Sequence, residues 1–277
     1  MHEQTRNIED IEIDLVLEAI FRGYGYDFRH YARASIRRRI QHLLAKTDHH
    51  RVVDLIAHLL YDDTFARSAI YDFSITVTEM FRNPEFYNAL RQEIVPYLKT
   101  YPFVKVWIAG CATGEEVYSL AILLEEEGLY ERSTIFATDF NVAALEQAQE
   151  GIYALRNASQ YTKNYQQAQG RHSFANYYHA RYGSMIIDNS LRRNITFANH
   201  NLVTDGVFGE MHLILCRNVL IYFDQVLQNR VLSLLAESLI YGGFLCLGTK
   251  ETIRFSEIKN QFEIIDAEMK IYQKQSV

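Results

Sequence analysis

Residues 104–116 read Val-Lys-Val-Trp-Ile-Ala-Gly-Cys-Ala-Thr-Gly-Glu-Glu. The first six form a short apolar run that ends at a glycine, a pattern that predicts a buried strand. Residues 115–127 then place apolar side chains at helical spacing and predict a helix. A buried strand, a glycine turn and a helix in immediate succession indicate one unit of a parallel α/β sheet.

The same rhythm recurs along the chain. An apolar run at 134–138 ends at Asp139 and precedes a helical stretch to Glu150, and runs at 212–216 and 243–248 flank a helical stretch at 225–239. Residues 262–265 and 269–272 predict a hairpin on the sheet edge. This alternation favours an α/β fold whose mostly parallel sheet is covered on both faces and ends in antiparallel strands.

The polar, tyrosine-rich stretch from Tyr153 to Phe197 breaks that rhythm. We interpret it as an insertion, at about 155–197, that carries a small antiparallel sheet with strands at 182–187 and 195–198.

The N-terminal part has a helical pattern from residue 8 to residue 72, in which Ile11, Leu15, Ile20 and Phe21 mark one amphipathic run. We therefore expect a small all-helical domain at 1–73 and a second domain at 74–277.

Composition limits the class of protein. The net charge of -6 argues against a surface built for nucleic acid. Cys111, Cys216 and Cys246 are too few and scattered for a disulfide framework, and we expect buried thiols. The ten histidines show no metal-ligand spacing, so no metal site is expected.

Without an apolar signal segment or a run of about 20 apolar residues, the expectation is a cytoplasmic chain with no membrane insertion. Nothing indicates an obligate dimer.

The loop from Gly110 to Glu116 lies where open α/β sheets bind ligands. Its Gly-x-x-x-Gly spacing differs from the dinucleotide fingerprint, which suits a ligand without a pyrophosphate, such as S-adenosylmethionine. Alone, the loop can equally be a tight strand–helix turn. Asp139, at the end of the next strand, can accept both hydroxyls of a ribose or can cap the following helix. Together with the glycine loop, ribose binding is favoured.

Two further segments follow predicted strands. Residues 216–224, Cys-Arg-Asn-Val-Leu-Ile-Tyr-Phe-Asp, place an arginine and an asparagine where an active-site loop is expected. Residues 199–202, Asn-His-Asn-Leu, can present amide groups to an adenine edge.

These segments, with residues 76–82 (Thr-Val-Thr-Glu-Met-Phe-Arg), occur in the order seen in the CheR family of chemotaxis receptor methyltransferases, which the chain resembles over nearly its whole length. The resemblance implies a class I S-adenosylmethionine-dependent methyltransferase, with a Rossmann-like, mostly parallel sheet and an antiparallel C-terminal strand. It also implies the all-helical N-terminal domain and the inserted β-subdomain. The implied reaction is methyl transfer to glutamate carboxylates of chemoreceptors, which forms methyl esters and yields S-adenosylhomocysteine.

The resemblance also assigns site residues. The expected cofactor contacts are Thr76, Thr78, Arg82, Gly110, Glu115, Asp139, Asn201, Leu202, Arg217 and Asn218. Arg82 and Tyr222 would lie near the transferred methyl group. Sequence alone leaves Glu116 as an alternative to Glu115, a structural ion pair as an alternative for Arg82, and a core position as an alternative for Tyr222.

The chain departs from the family pattern at three positions. Thr76 stands where many members have Asn, Met80 replaces the first Phe of the usual Phe-Phe-Arg, and Val117 replaces a Pro after the paired acids. None of these changes removes a catalytic group, so activity remains the expectation.

Residues 29–51 are strongly basic. On one helix, Arg29, Arg33 and Arg37 would share a face, and with Arg38 they would form a docking surface for the acidic cytoplasmic helices of chemoreceptors. The simpler alternative is a solvated helix face. The insertion is a few residues shorter than in members that bind a receptor C-terminal peptide, so we predict independence from that tether. Two other functions stay open, a non-catalytic receptor adaptor that binds the cofactor and a small-molecule carboxyl methyltransferase.

Overall fold

The computed structural model describes residues 8–74 and 77–276. The chain divides into two compact units. The first contains the described residues of Met1–Ile75 together with Ile221–Gln228, and the second contains the described residues of Thr76–Leu220 and Asn229–Val277.

The first unit is helical. Its helices are α1 (Ile8–Tyr24), α2 (Arg33–Leu44), α3 (Leu55–Tyr61) and α4 (Asp63–Phe73). The face of α1 that lies in the core consists of Ile13, Val16, Leu17 and Ile20. The amphipathic run predicted from the sequence is therefore wrong in part, because Ile11 and Leu15 are 46% and 49% exposed. The helix itself was predicted correctly. Because apolar and charged residues alternate in this segment, more than one set of apolar residues has helical spacing, and the sequence does not show which set faces the core.

The second unit contains an α/β sheet with flanking helices. Its helices are α5 (Pro84–Ala89), α6 (Val95–Leu98), α7 (Glu115–Glu126), α8 (Val142–Glu150), α9 (Ala158–Gln167) and α10 (Gln225–Glu237), whose first four residues belong to the first unit. Its strands are β1 (Val104–Ala109), β2 (Ser133–Asp139), β3 (Ile152–Ala154), β4 (Tyr178–Arg181), β5 (Ser184–Ile187), β6 (Ile195–Asn199), β7 (Met211–Cys216), β8 (Leu239–Leu247), β9 (Phe262–Asp266) and β10 (Ile271–Lys274). The strands and helices predicted for the main sheet are confirmed, except that β8 begins at Leu239, four residues earlier than predicted and within the segment expected to be helical.

Seven of the strands described in this unit form one sheet in the order β6-β2-β1-β7-β8-β10-β9. The pairs among β6, β2, β1, β7 and β8 are parallel, whereas β10 is antiparallel to both β8 and β9. The chain order reverses between β1 and β7, so the crevice of the sheet lies outside the carboxyl ends of these two strands. The register aligns Ala109 with Thr138 and Asp139 with Asn199, which places the loops that follow β1, β2 and β6 at one edge.

A smaller antiparallel sheet has the order β3-β5-β4. The insertion therefore carries an antiparallel sheet, as predicted, but one strand was assigned to the wrong sheet. Residues 195–198 belong to β6, which pairs in parallel with β2 at the edge of the main sheet. Local sequence cannot distinguish these two pairings, because a short half-buried strand satisfies either one. Only β5 of the small sheet was predicted, and the predicted strand began too early, because residues 182 and 183 form the turn between β4 and β5. The other two strands, β4 and β3, were not predicted, and β3 lies before the segment expected to form the insertion.

A buried ionic network anchors the insertion to α7. The Glu126 carboxylate is fully buried and accepts hydrogen bonds from the hydroxyls of Tyr165 and Tyr177, from the Arg91 guanidinium and from the Arg171 amide. Burial raises the pKa of Glu126, but these hydrogen bonds outweigh that effect and the pKa lies below its ordinary value. The carboxylate is therefore charged at neutral pH and connects the insertion to the main sheet through α7.

All three cysteines are buried and free, as predicted. Within residues 8–74 and 77–276, no helix combines the length and the apolar character needed to cross a membrane.

We expect Glu126→Gln to lower the free energy of unfolding by about 2 kcal/mol, because it leaves buried donors without a charged acceptor. Chemical denaturation measures this difference. Glu125→Gln is the matched control, since Glu125 is exposed, and we expect a change within about 0.5 kcal/mol. Equal losses for the two variants would show that the network does not stabilise the unit.

Candidate cofactor and active site

The loop between β1 and α7 is pinned to the end of β2. The amides of Gly110 and Cys111 both donate to the Thr138 carbonyl, at 2.8 and 2.9 Å. Gly110 and Gly114 have φ values of 79° and 91°, in the left-handed region that favours glycine. A Cβ atom on Gly110 would lie 2.6 Å from Cγ2 of Val219, so the loop packs directly against the segment that follows β7.

Asp139 ties the same loop to the second strand. Its Oδ2 accepts from the Ala112 amide and its Oδ1 from the Asn141 amide, each at 2.9 Å. Asp139 is not the N-cap residue of α8. That residue is Asn141, whose side chain accepts a hydrogen bond from the Ala144 amide at 3.1 Å. Burial raises the pKa of Asp139 above its ordinary value. Each carboxylate oxygen retains a lone pair that can accept from a ligand hydroxyl.

The paired acids at the start of α7 have different surroundings. Glu116 accepts from the Arg217 guanidinium at 2.5 Å and is committed to this ion pair. Glu115 is buried and accepts from the Thr113 hydroxyl at 2.6 Å, and burial raises its pKa. The Tyr161 hydroxyl, from the insertion, lies 3.5 Å from the other carboxylate oxygen of Glu115. This arrangement favours Glu115 over Glu116 as a ligand for a cation.

The residues after β7 are held by two carboxylates, those of Glu116 and Glu251. The Arg217 side chain is only 1% exposed, and its guanidinium lies 4.0 Å from the centre of the Phe86 ring. A cofactor contact from this guanidinium would require the cluster to open. Asn218 has a left-handed φ of 61°, and its amide donates to Glu251 at 2.9 Å. Sequence reasoning missed Glu251, although a glutamate three residues beyond Gly248 at the end of β8 was a usable signal.

Arg82 lies on a strained turn. Its neighbours Phe81 and Asn83 have φ values of 54° and 58°, and such conformations cost about 1–3 kcal/mol each in residues other than glycine. The turn is supported by the Ser119 hydroxyl, which accepts from the Phe81 amide at 2.8 Å, and by the Asn164 amide, which donates to the Met80 carbonyl at 3.0 Å. Neither supporting residue was identified from the sequence.

The Arg82 guanidinium itself is half-buried and available. The guanidinium donates a long hydrogen bond to the Val77 carbonyl, at 3.4 Å, and no carboxylate of residues 77–276 forms an ion pair with it. The structural ion pair considered for Arg82 is therefore not found in the described part of its unit. Thr78 is half-buried on the same segment, and Thr76 lies outside the described residues.

Asn201 and Leu202 follow β6 at the same edge of the sheet. The Asn201 Oδ1 atom accepts from the Val203 amide at 3.0 Å. Its Nδ2 atom has no hydrogen-bond partner among the described residues, so it can donate to a ligand. Leu202 is 7% exposed and offers an apolar wall. The His200 amide donates to the Asp139 carbonyl at 3.2 Å, which joins this segment to the end of β2.

The remaining predicted residues lie in the first unit. Tyr222 is half-buried there, and its carbonyl accepts from the Ala32 amide at 2.7 Å. Arg29 precedes α2, so the expectation that Arg29, Arg33 and Arg37 share one helix is wrong.

The predicted basic surface is also largely neutralised. Arg29 pairs with Asp27 and Glu18, while Arg33 and Arg37 pair with acids of α1 that include Asp10. Arg38 is exposed and has no ion pair among residues 8–74.

The chemistry of this edge fits S-adenosylmethionine. The Asp139 oxygens can accept from ribose hydroxyls, and the Asn201 amide can donate to an adenine edge. Glu115 offers a carboxylate for the cationic part of the ligand. Within the described residues, no group of three or more His, Cys, Asp or Glu side chains is arranged to hold a metal ion.

The strand order and this site define a class I methyltransferase. Residues 76–271 match the family model described as "CheR methyltransferase, SAM binding domain", and residues 11–74 match "CheR methyltransferase, all-alpha domain". The chain belongs to the CheR methyltransferase family and is an S-adenosylmethionine-dependent methyltransferase, as the sequence predicted.

Two relatives illustrate the match. The putative methyltransferase Cher3 of Pseudomonas putida is 51% identical, over 96% of this chain and 97% of its own length. The chemotaxis protein methyltransferase of Listeria monocytogenes is 31% identical, over 89% of this chain and 92% of its own length.

Gly114→Ala tests the packing of the glycine loop. The new methyl group would lie 2.8 Å from Ala148 Cβ, so we expect a loss of about 3 kcal/mol in the free energy of unfolding from backbone strain and overpacking. Gly128→Ala is the matched control, because Gly128 has a φ of 69° but no heavy atom within 4 Å of the added Cβ. It should show only the backbone cost, about 1–2 kcal/mol. Equal losses in thermal unfolding would contradict the tight packing of this loop.

Proposed function

We propose that this protein transfers the methyl group of S-adenosylmethionine to glutamate carboxylates of chemoreceptors and so forms glutamate methyl esters. Family membership supports the reaction class, and the relative from Listeria monocytogenes bears the name chemotaxis protein methyltransferase. Within the chain, the observation that carries the proposal is Arg82. It presents a half-buried guanidinium without a carboxylate partner in the described part of its unit, next to the loops that suit the cofactor.

The chain needs no general base for this reaction. When bound, S-adenosylmethionine supplies a methyl group on a positively charged sulfur. A glutamate side chain has an ordinary pKa of about 4.3 and is already ionised at neutral pH. The task of the protein is to align the carboxylate with the methyl group, and Arg82 can do so through two parallel hydrogen bonds.

The remaining predicted contacts have compatible roles at this edge. Asp139 would accept from the ribose hydroxyls, Glu115 would face the ammonium group, and the Asn201 amide and Leu202 would receive the adenine. The proposed contribution of the Arg217–Asn218 segment is its backbone, because the Arg217 side chain is buried in an ion pair. Tyr222 remains the second residue proposed to lie near the methyl group.

The receptor partner is proposed to be an acidic cytoplasmic helix, which places this chain in the cytoplasm. Arg38 is the most available cation of the predicted docking set, since Arg29, Arg33 and Arg37 are ion-paired within the first unit. We also propose that docking does not depend on a receptor C-terminal peptide. Calorimetry that shows tight binding of such a peptide would contradict this independence.

A transfer assay tests the function. The purified chain is incubated with methyl-labelled S-adenosylmethionine and receptor-containing membranes. We expect label in the receptor that mild base releases as methanol, because methyl esters are base-labile. Label in the receptor that survives base would contradict ester formation. Binding of S-adenosylhomocysteine without transfer would instead identify a non-catalytic adaptor, and label in a soluble metabolite would identify a small-molecule methyltransferase.

Asp139→Asn tests the proposed ribose contact. The change removes one acceptor oxygen and the charge, so we expect the dissociation constant for S-adenosylhomocysteine to rise at least about tenfold. Calorimetry measures this change. Asp266→Asn is the matched control, because Asp266 also accepts from two backbone amides but lies in the turn between β9 and β10. An unchanged dissociation constant for Asp139→Asn would remove the residue from the site.

A further inference from the structure

The backbone strain in the turn at Arg82 must be held in place by contacts with the surrounding structure. Phe81 and Asn83, on either side of Arg82, both adopt left-handed backbone conformations that residues other than glycine rarely occupy. Such a conformation persists only when the surrounding structure holds it. The restraint must therefore contact the backbone or the side chains of these residues.

Arg217 makes those contacts. One of its terminal nitrogens donates to the Arg82 carbonyl at 3.2 Å and to the Asn83 Oδ1 atom at 3.1 Å. Asn83 is the N-cap residue of α5, but its side chain makes no capping hydrogen bond to that helix. It binds Arg217 instead. The flat guanidinium lies over the Phe86 ring, which is buried on the same helix. Three successive features of the turn thus depend on one side chain.

Glu116 fixes Arg217 in turn. It binds the other terminal nitrogen of the guanidinium at 2.5 Å, and the Arg217 side chain is 1% exposed. An arginine buried to this degree requires a partner of opposite charge, since an unpaired buried charge is strongly unfavourable. Glu116 is also the second residue of α7, so the chain Glu116–Arg217–Arg82 starts at the helix that follows the glycine loop.

We propose that Glu116 and Arg217 are positioning residues, whose side chains hold the turn that presents Arg82 and do not themselves bind the cofactor. The proposal rests on the function assigned to Arg82 above. It revises the expectation that Arg217 contacts S-adenosylmethionine through its side chain. It also assigns different roles to the two adjacent glutamates. Glu115 would face the ligand, and Glu116 supports the turn.

Glu116→Gln and Arg217→Lys test this proposal. Gln keeps the shape of Glu116 without its charge, and Lys keeps the charge of Arg217 without the planar fork. In both variants we expect kcat for receptor methylation to fall at least about tenfold, while the dissociation constant for S-adenosylhomocysteine changes less than about twofold. The effect of Glu116→Gln on kcat should largely disappear in an Arg82→Lys background, because both changes act on one group.

The control separates positioning from general destabilisation. Glu126→Gln weakens another buried Arg–Glu pair of the unit, that of Arg91 and Glu126, and the hydrogen bonds of Glu126 go to residues outside the turn. Assayed well below its unfolding temperature, it should retain the kcat of the original protein. An equal fall in kcat for Glu126→Gln and Glu116→Gln would overturn the positioning role. So would a rise in the S-adenosylhomocysteine dissociation constant that matches the loss of activity, since Arg217 would then bind the cofactor.

Hydrogen exchange provides a readout that does not depend on activity. The Phe81 amide is bonded to the Ser119 hydroxyl, and its exchange should be at least about tenfold faster in Glu116→Gln and Arg217→Lys than in Glu126→Gln under the same conditions. Unchanged exchange in the first two variants would overturn the proposal. If exchange accelerates while the original protein methylates no receptor, the restraint stands and only the proposed function fails.

Discussion

The pinning of the β1–α7 loop to the end of β2 determines the rest of the site. Two successive amides share the Thr138 carbonyl, and the next amide, that of Ala112, binds Asp139. These bonds fix where α7 begins, and α7 carries both Glu115 and Glu116. They also set the orientation of the Asp139 carboxylate, which is the acceptor offered to a ribose. A change in this one junction would displace the cofactor acids and the support of Arg82 together.

From this junction the site extends by short connections. Glu116 reaches Arg217 after β7, and Arg217 reaches the turn at Arg82. Glu251 after β8 holds the Asn218 amide. The small antiparallel sheet reaches the same region, because the hydroxyl of Tyr153 in β3 donates to the Thr113 carbonyl at 2.7 Å. A segment that interrupts the sheet in sequence therefore supports the glycine loop in space.

Much of this arrangement follows from local sequence. The strand, glycine loop and helix at 104–127 were predictable because each depends on residues close in the chain, and the same holds for β2 and Asp139. The sheet to which β6 belongs was not predictable, since both sheets accept a short half-buried strand. The contributions of Ser119, Asn164 and Glu251 were equally hidden, because each depends on contacts between segments far apart in sequence. The ion pairs between α1 and Arg33 belong to the same class, since a count of arginines does not show which acids face them.

A crystal structure with bound S-adenosylhomocysteine would examine the whole site at once. We expect the ribose hydroxyls within hydrogen-bond distance of the Asp139 carboxylate, the amino acid part of the ligand beside Glu115, and the Arg217 guanidinium still paired with Glu116. Ligand density away from the carboxyl ends of β1, β2 and β7 would contradict the proposed site.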